Sequence, residues 1–327
     1  MMTSRLVSRV TTFSRRSFGT GALPGTSQAE AGLGNSFKGR KRFYDDVSVV
    51  RDEKNPGYVI TLDDRRLKTA KGMTMRVPTE KLAYAIAGEW ARQDSSLEPE
   101  SMPIYGLSSI SLQINGHSRA LSEEHIMGYL ETDTTCVRVT EQENLPLHLK
   151  QKETLDPILE WFGEEFGKME TSTGFMVPEV SSETRDFVRG VVSELSDWEI
   201  AALERATRTC KSLVLGLCML RRHVTAEEAL NASRLEEDYQ IENWGLLENG
   251  HDFDINFARL RVFSTSSFLW MIDSNHNELE FPLKRSKAWN MELVNDGTNM
   301  RTEPVPPMGE DKIDELFIDD SAGFVRR

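Results

Sequence analysis

Apolar residues recur along this chain with two periods, and the change from one to the other divides it. VSVV (47–50), YVITL (58–62), RRLKT (65–69) and MTMRV (73–77) are short, rich in β-branched residues and partly alternating. Asn55-Pro56-Gly57, Asp63-Asp64 and Lys71-Gly72 punctuate them as turns. They predict a meander of about four strands, closed by Pro78. The helical period begins at Thr79, the expected cap. Leu82, Ile86 and Trp90 recur every four residues and predict a buried, structural stripe, with Glu89 and Gln93 beside it. A loop with Pro99 and Pro103 leads to a short apolar helix around 104–114, and Ser122 is expected to cap another that runs towards Asp133.

Beyond about residue 145 the pattern reads as helical throughout. A helix over 149–167 carries Leu155, Ile158, Leu159, Phe162 and Phe166, with Asp156-Pro157 expected to start a new helix or kink the old one. Gly174 and Pro178 mark a loop. Two amphipathic helices follow over 183–195 and 197–208, then the nearly all-apolar segment 211–222, and 255–272 is the last strong signal. The fold class is therefore α+β: a small N-terminal β-meander domain with flanking helices over 41–144, then an all-α domain over 145–274.

The stretch 225–254 has the most unusual pattern. Thr225 and Glu228 form a capping box. At 100° per residue, Ala232, Leu235, Tyr239 and Leu246 fall on one face. Leu230, Glu237, Ile241 and Trp244 fall roughly opposite, with Gln240 at the edge. A helix packed on one core needs a single apolar stripe. The first face, with Tyr239, is assigned to the core. The second mixes a carboxylate, an amide and an indole and suits a protein-binding surface, since tryptophan is enriched at interfaces that are part dry and part wet. A central helix packed on both sides is the plainer alternative.

Composition narrows the function. The 327 residues carry a net charge of −13, which opposes a phosphate-rich partner. No apolar run approaches the ~20 residues of a membrane span. Three cysteines, 136, 210 and 218, lie outside any CxxC spacing and suit free buried thiols. The first forty residues have six Lys/Arg and one Glu, and they read as an Arg/Ser-rich transit peptide for the mitochondrial matrix, with the plastid stroma second. The segment 275–327, with EDKIDELFIDD near its end, reads as an acidic, partly disordered extension.

Catalytic motifs are missing. There is no phosphate loop, no GxGxxG between strand and helix, no HExxH and no GxSxG. Asp252, Asp254 and Asn256 imitate half an EF-hand loop, but Phe257 and Phe263 stand where glycine and glutamate are needed. His251 and Asp252 form at most a lone acid–base pair, more simply read as helix termination and capping around Asn249-Gly250. The expectation is a non-enzyme with no cofactor and no metal.

Several segments in order resemble one family: RFY (42–44), LDDRRLKT (62–69), VPTEKLAYAIAGEWARQ (77–93), TDT (132–134), DPILEW (156–161), SLVLGL (212–217) and EEDYQIENWGLLENGHD (236–252). The chain resembles the F1-ATPase assembly factor 2 family, mitochondrial chaperones of the ATP synthase α subunit, from about 42 to 272. It departs at the Asp64 turn, at Ala70 and at Gly250-His251. The resemblance implies a cofactor-free binder of the unassembled α subunit that covers the subunit interface transiently and promotes F1 assembly, and the chain is expected to be a monomer. With it, Glu237, Gln240, Ile241, Trp244 and Asp252 are the expected partner-binding residues. An enzyme using Glu237 and His251, or a permanent structural subunit, are the alternatives.

Overall fold

The computed structural model describes residues 39–173, 178–245 and 251–273. The expected transit peptide (apart from its last two residues), Gly174, Leu246, Asn249-Gly250 and the C-terminal extension lie outside the described residues. So do the side chains of His251 and Asp252.

The sheet is built on one central strand. β1 (Val47–Arg51) pairs antiparallel with β2 (Tyr58–Leu62), Val47 opposite Leu62 and Arg51 opposite Tyr58. β3 (Arg65–Arg66) and β4 (Arg76–Val77) both return to β2, at its two ends, so the strands do not follow one another as a simple meander. Asp63 and Asp64, both at positive φ, make the tight β2–β3 turn, in which Asp63 Oδ1 accepts the amides of Asp45 and Asp46. The stretch between β3 and β4 pairs with itself through a Lys68–Thr74 bridge, which shortens both strands below the expected lengths.

α1 (Glu80–Ala91) is capped by Thr79, whose Oγ1 accepts the amide of Leu82. Leu82, Ile86 and Trp90 are fully buried, as their spacing predicts. Trp90 lies 5.6 Å from the ring of Tyr44 and edge-on to Tyr105 at 5.2 Å, and the Tyr44 hydroxyl donates to the Trp90 carbonyl at 2.7 Å. α2 (Pro103–Gln113) follows, and Tyr105 belongs to its first turn. α3 (Gly116–Leu130) starts earlier than expected because Asn115 and Ser118 form a capping box. Ser122 lies inside it and donates to Glu204 instead.

α4 (Glu141–Phe166) also begins early, from a Thr140–Glu143 capping box. Its break is at Asn144 (φ −159, ψ 85), not at Pro157. Asn144 recaps the helix by accepting the Leu147 amide at 3.1 Å. Pro157 and Glu153, whose carbonyl Pro157 leaves without an amide, both face solvent, while Leu155, Ile158, Leu159 and Phe162 are pinned in the core. The helical half is also not purely helical: β5 (Val137–Arg138) pairs in parallel with β6 (Ser172–Thr173).

α5 (Ser182–Glu194), α6 (Asp197–Cys210), α7 (Leu213–Leu220), α8 (Ala226–Trp244) and α9 (His251–Ile272) complete the fold. α7 is the all-apolar centre, and Gly216 allows α6 to approach it: a Cβ there would meet Thr207 Oγ1 at 2.6 Å. Cys136, Cys210 and Cys218 are free and buried. Two apolar clusters form, and each draws on residues from both sides of position 144. The sheet and α1–α2 recruit Ala201, Ala202 and Phe268, while the helical cluster recruits Ile126 and Leu130. The end of α9 is tied to the start of α1, where Thr79 donates to the Met271 carbonyl and Lys81 sits over Trp270 at 4.4 Å.

Candidate functional site

α8 changes character halfway along. Its first half buries Ala229, Leu230, Ala232 and Arg234. Leu230 was expected on the partner-binding face, but at this level of the helix the core covers it. From Leu235 onwards no residue is buried: Leu235, Glu237, Tyr239 and Ile241 are intermediate, and Gln240, Glu242 and Asn243 are exposed. Trp244, the last residue of the helix, is 76% exposed. Packing on both sides therefore holds only for the N-terminal half.

The C-terminal half of α8 crosses the N-terminal part of α4, and polar contacts fix the crossing. The Tyr239 hydroxyl donates to Asn144 Oδ1 at 3.0 Å, the same oxygen that caps α4. Lys150 pairs with Glu242 at 2.6 Å and lies 5.4 Å from the Tyr239 ring centroid. Gln151 donates to Glu236 and accepts the Val139 amide, so this buried side chain joins both helices to the β5 segment. Tyr239 is thus half-buried and acts as a strut between helices. It is not the core residue expected from its register, because the facing surface of α4 presents an amide and a lysine stem in place of an apolar bed.

Glu237 points outward with Gln240, Ile241 and Trp244, as the helical angle requires, but its carboxylate has partners within the chain. Lys211 approaches at 3.3 Å and Arg234 at 2.6 Å, while Arg234 also pairs with Asp238 at 3.2 Å. Lys211 is held in place as the left-handed C-cap of α6. The structure brings Glu237, Gln240, Ile241 and Trp244 onto one helix end; Asp252 lies at the start of α9, with its side chain outside the described residues.

Sequence reasoning missed two exposed leucines on the other helix of the crossing. Leu145 and Leu149 are one helical turn apart on α4 and are about half exposed, at 49% and 54%. The signal was present in Thr140-x-x-Glu143 and in Asn144 before Pro146, two start signals within five residues that place Leu145 and Leu149 on a helix. The two crossing helices thus expose apolar side chains, Leu145 and Leu149 on α4 and Trp244 at the end of α8, and they carry the carboxylates of Glu236, Glu237 and Glu242, a mixture of the kind found in transient protein contacts.

The perturbed titratable groups hold structure together: at the crossing, the Thr140 amide and hydroxyl lower Glu143 as it caps α4, and the others lie elsewhere. Burial raises Glu89 to about 7, although its two oxygens accept the amides of Ile104 and Tyr105 at the start of α2, at 2.8 and 2.7 Å. Burial also raises Asp133, which accepts from Thr135 and from the Val214 amide at the start of α7. Cys136 and Cys210 are pushed up to about 12, which leaves them as unreactive thiols. Among the described residues, no group of three or more His, Cys, Asp or Glu could hold a metal ion, and no helix is long and apolar enough to cross a membrane.

Comparison with known proteins bears on the chain as a whole. A family model described as ATP12 chaperone protein matches residues 41–163. The mitochondrial protein atp12 of Schizosaccharomyces pombe is 30% identical over 236 residues, covering 69% of this chain and 81% of the relative. The mitochondrial protein ATP12 of Saccharomyces cerevisiae is 26% identical over 273 residues, covering 70% and 83%. In fold, the chain is similar to the crystal structure of Atp12 from Paracoccus denitrificans, with a TM-score of 0.66 and 24% identity, covering 71% of this chain and 98% of that one.

Proposed function

The chain belongs to the ATP12 chaperone family, and we propose that it serves assembly of mitochondrial F1-ATPase by transiently binding the unassembled α subunit through the α4–α8 junction. One observation carries this reading: a tryptophan is 76% exposed at the end of a helix whose crossing with α4 is fixed by hydrogen bonds and ion pairs. A large aromatic ring left in water on a braced support is the usual anchor of a protein contact.

The client's chemistry fits. A subunit awaiting its neighbours exposes surface that the finished oligomer will bury, and such patches aggregate. A face that mixes leucines and an indole with carboxylates covers the patch without the apolar area of a permanent interface, so the true neighbour can displace it. On this reading Glu237, Gln240, Ile241, Trp244 and Asp252 belong to the client-binding set, joined by Leu145 and Leu149. The chain acts by binding and not by catalysis, and residues 1–40 direct it to the matrix.

The test is capture from mitochondrial extract by the tagged mature chain, with the partner identified by mass spectrometry, and suppression of aggregation of the isolated α subunit. Trp244→Ala should keep the melting temperature and weaken protection at least tenfold, the scale of a hot-spot truncation of about 2 kcal/mol. Full protection by the folded variant would remove α8 from the site.

A further inference from the structure

The sheet side of the molecule differs in charge from the rest. Residues 40–77 contain ten Lys/Arg and six Asp/Glu, whereas residues 78–273 contain seventeen and thirty-four. Among the described residues neither Arg65 nor Lys68 makes an ion pair within 4 Å, although the charge of Arg65 is felt at Asp63. Both are exposed. Asp63, nearby, is already engaged by the amides of Asp45 and Asp46.

These two cations line a cleft of about 380 Å³ with Phe43, Asp63, Arg66, Leu67 and Trp90, so three cations stand there against one carboxylate. Leu67 and Trp90 are buried and supply an apolar wall. Phe43 is 60% exposed, edge-on to Tyr44 with ring centroids 5.4 Å apart. Its backbone is not loose. The Arg42 amide donates to the Ser95 carbonyl, and the Arg42 guanidinium donates to the carbonyls of Tyr44, Asp45 and Gln93. One arginine therefore ties the segment carrying Phe43 to the end of α1. An aromatic ring presented to water on a fixed backbone loses little further freedom on binding, which favours affinity.

We propose that this cleft is a second protein-binding site, which takes an exposed acidic segment of a partner protein carrying a bulky apolar side chain. The apolar side chain packs against Phe43, above the buried Leu67 and Trp90, and the flanking carboxylates meet Arg65 and Lys68. The volume suits one such side chain with its backbone. The chemistry is opposite to that of the α4–α8 junction, whose own carboxylates would repel the same segment. The two sites therefore recognise different segments, and the cleft stands whether or not the client reading of the junction does.

The probe is a fluorescein-labelled peptide of roughly ten residues, alternating Asp and Glu around a central Leu-Phe pair, titrated into the full chain by fluorescence anisotropy. Saturable binding is expected that weakens with salt, as exposed charge contacts do. Replacing the Leu-Phe pair by Ser-Ser, or the acids by Asn and Gln, should each weaken it at least tenfold. Arg65→Gln with Lys68→Gln, and separately Phe43→Ala, should do the same in the chain while leaving melting temperature and α-subunit capture unchanged, since all three side chains are exposed. Three results would overturn the proposal: no saturation up to about 1 mM peptide, unchanged affinity in the folded variants, or equal binding by a single-stranded oligonucleotide of the same charge, which would mark a mere polyanion patch.

Discussion

α1 and α8 begin and end alike. Each is opened by a threonine whose hydroxyl accepts the amide three residues on, Thr79 from Leu82 and Thr225 from Glu228. Each carries a tryptophan in its last turn. Trp90 is fully buried and Trp244 is 76% exposed. The difference lies in the neighbours. Around Trp90 stand Tyr44 of the N-terminal segment and Tyr105 of α2, with the sheet and the end of α9 completing the cluster. α8 leaves the core after Arg234, and polar side chains tie it to α4. Helical register states which residues share a face. Whether anything covers that face is decided by segments distant in sequence, and two similar helices can receive opposite answers.

The largest effect expected from breaking this contrast falls on the buried tryptophan. Trp90→Ala should cost about 3–5 kcal/mol, because the Tyr44–Tyr105 cluster would be left around a cavity. Chemical denaturation checks it. Client capture should fall in proportion to the unfolded fraction and recover where stabilising co-solvent restores the fold. An unchanged denaturation midpoint would mean that Trp90 is not the centre of its cluster.

How much could be seen in the sequence follows from the same contrast. The Leu82–Ile86–Trp90 stripe was legible because all its contacts lie on one face at one period. The strand segments were legible as segments, but β4 returns to β2 because Lys68–Thr74 pairs with itself, and no alternation of residues encodes that. Tyr239 was misplaced as core because its register was right and its surroundings were not known: the surface it meets belongs to Asn144 and Lys150, almost a hundred residues earlier. The outward direction of Glu237 was legible from its helical angle, but its pair with Lys211 was not, since Lys211 lies within reach because α6 ends in a left-handed residue. What the sequence withheld was long-range pairing of polar side chains, which has no period.

A second pair of residues sharpens the comparison. Glu89, next to Trp90, carries its carboxylate on the amides of Ile104 and Tyr105, and burial raises it from 4.5 to about 7. Between these values the folded chain binds more protons at this site than the unfolded chain does. Its contribution to stability is therefore fully present below about pH 4.5 and is lost as pH rises through about 7. Glu89→Gln stays neutral throughout and still offers one carbonyl oxygen to the two amides. The stability of the wild type relative to this variant should fall by up to about 3 kcal/mol between about pH 5 and pH 8. Thermal melts of both proteins across that range measure it, and parallel curves would show that the ionised carboxylate is not costly here.

Glu237 is the exposed counterpart and should give the smallest stability effect. Glu237 is partly exposed, its pair with the exposed Lys211 contributes about 0–1 kcal/mol, and the buried Arg234 keeps a second carboxylate when Glu237 is neutralised. Glu237→Gln should therefore change stability by less than about 1 kcal/mol, with Arg234 still held by Asp238. Its effect on the α subunit separates two roles that the geometry allows. If the carboxylate itself meets the client, the glutamine and lysine variants both lose protection, and lysine loses more because it sets like charges against each other. If the carboxylate only keeps Lys211 and Arg234 in place, Glu237→Gln protects the client nearly as well as the wild type. Glu237→Lys alone then fails, since it puts a third cation between two others and displaces them. Capture by the two folded variants, compared at low and high salt, distinguishes these roles, and normal capture by both would remove Glu237 from the site and leave Trp244, Leu145 and Leu149 as the contact.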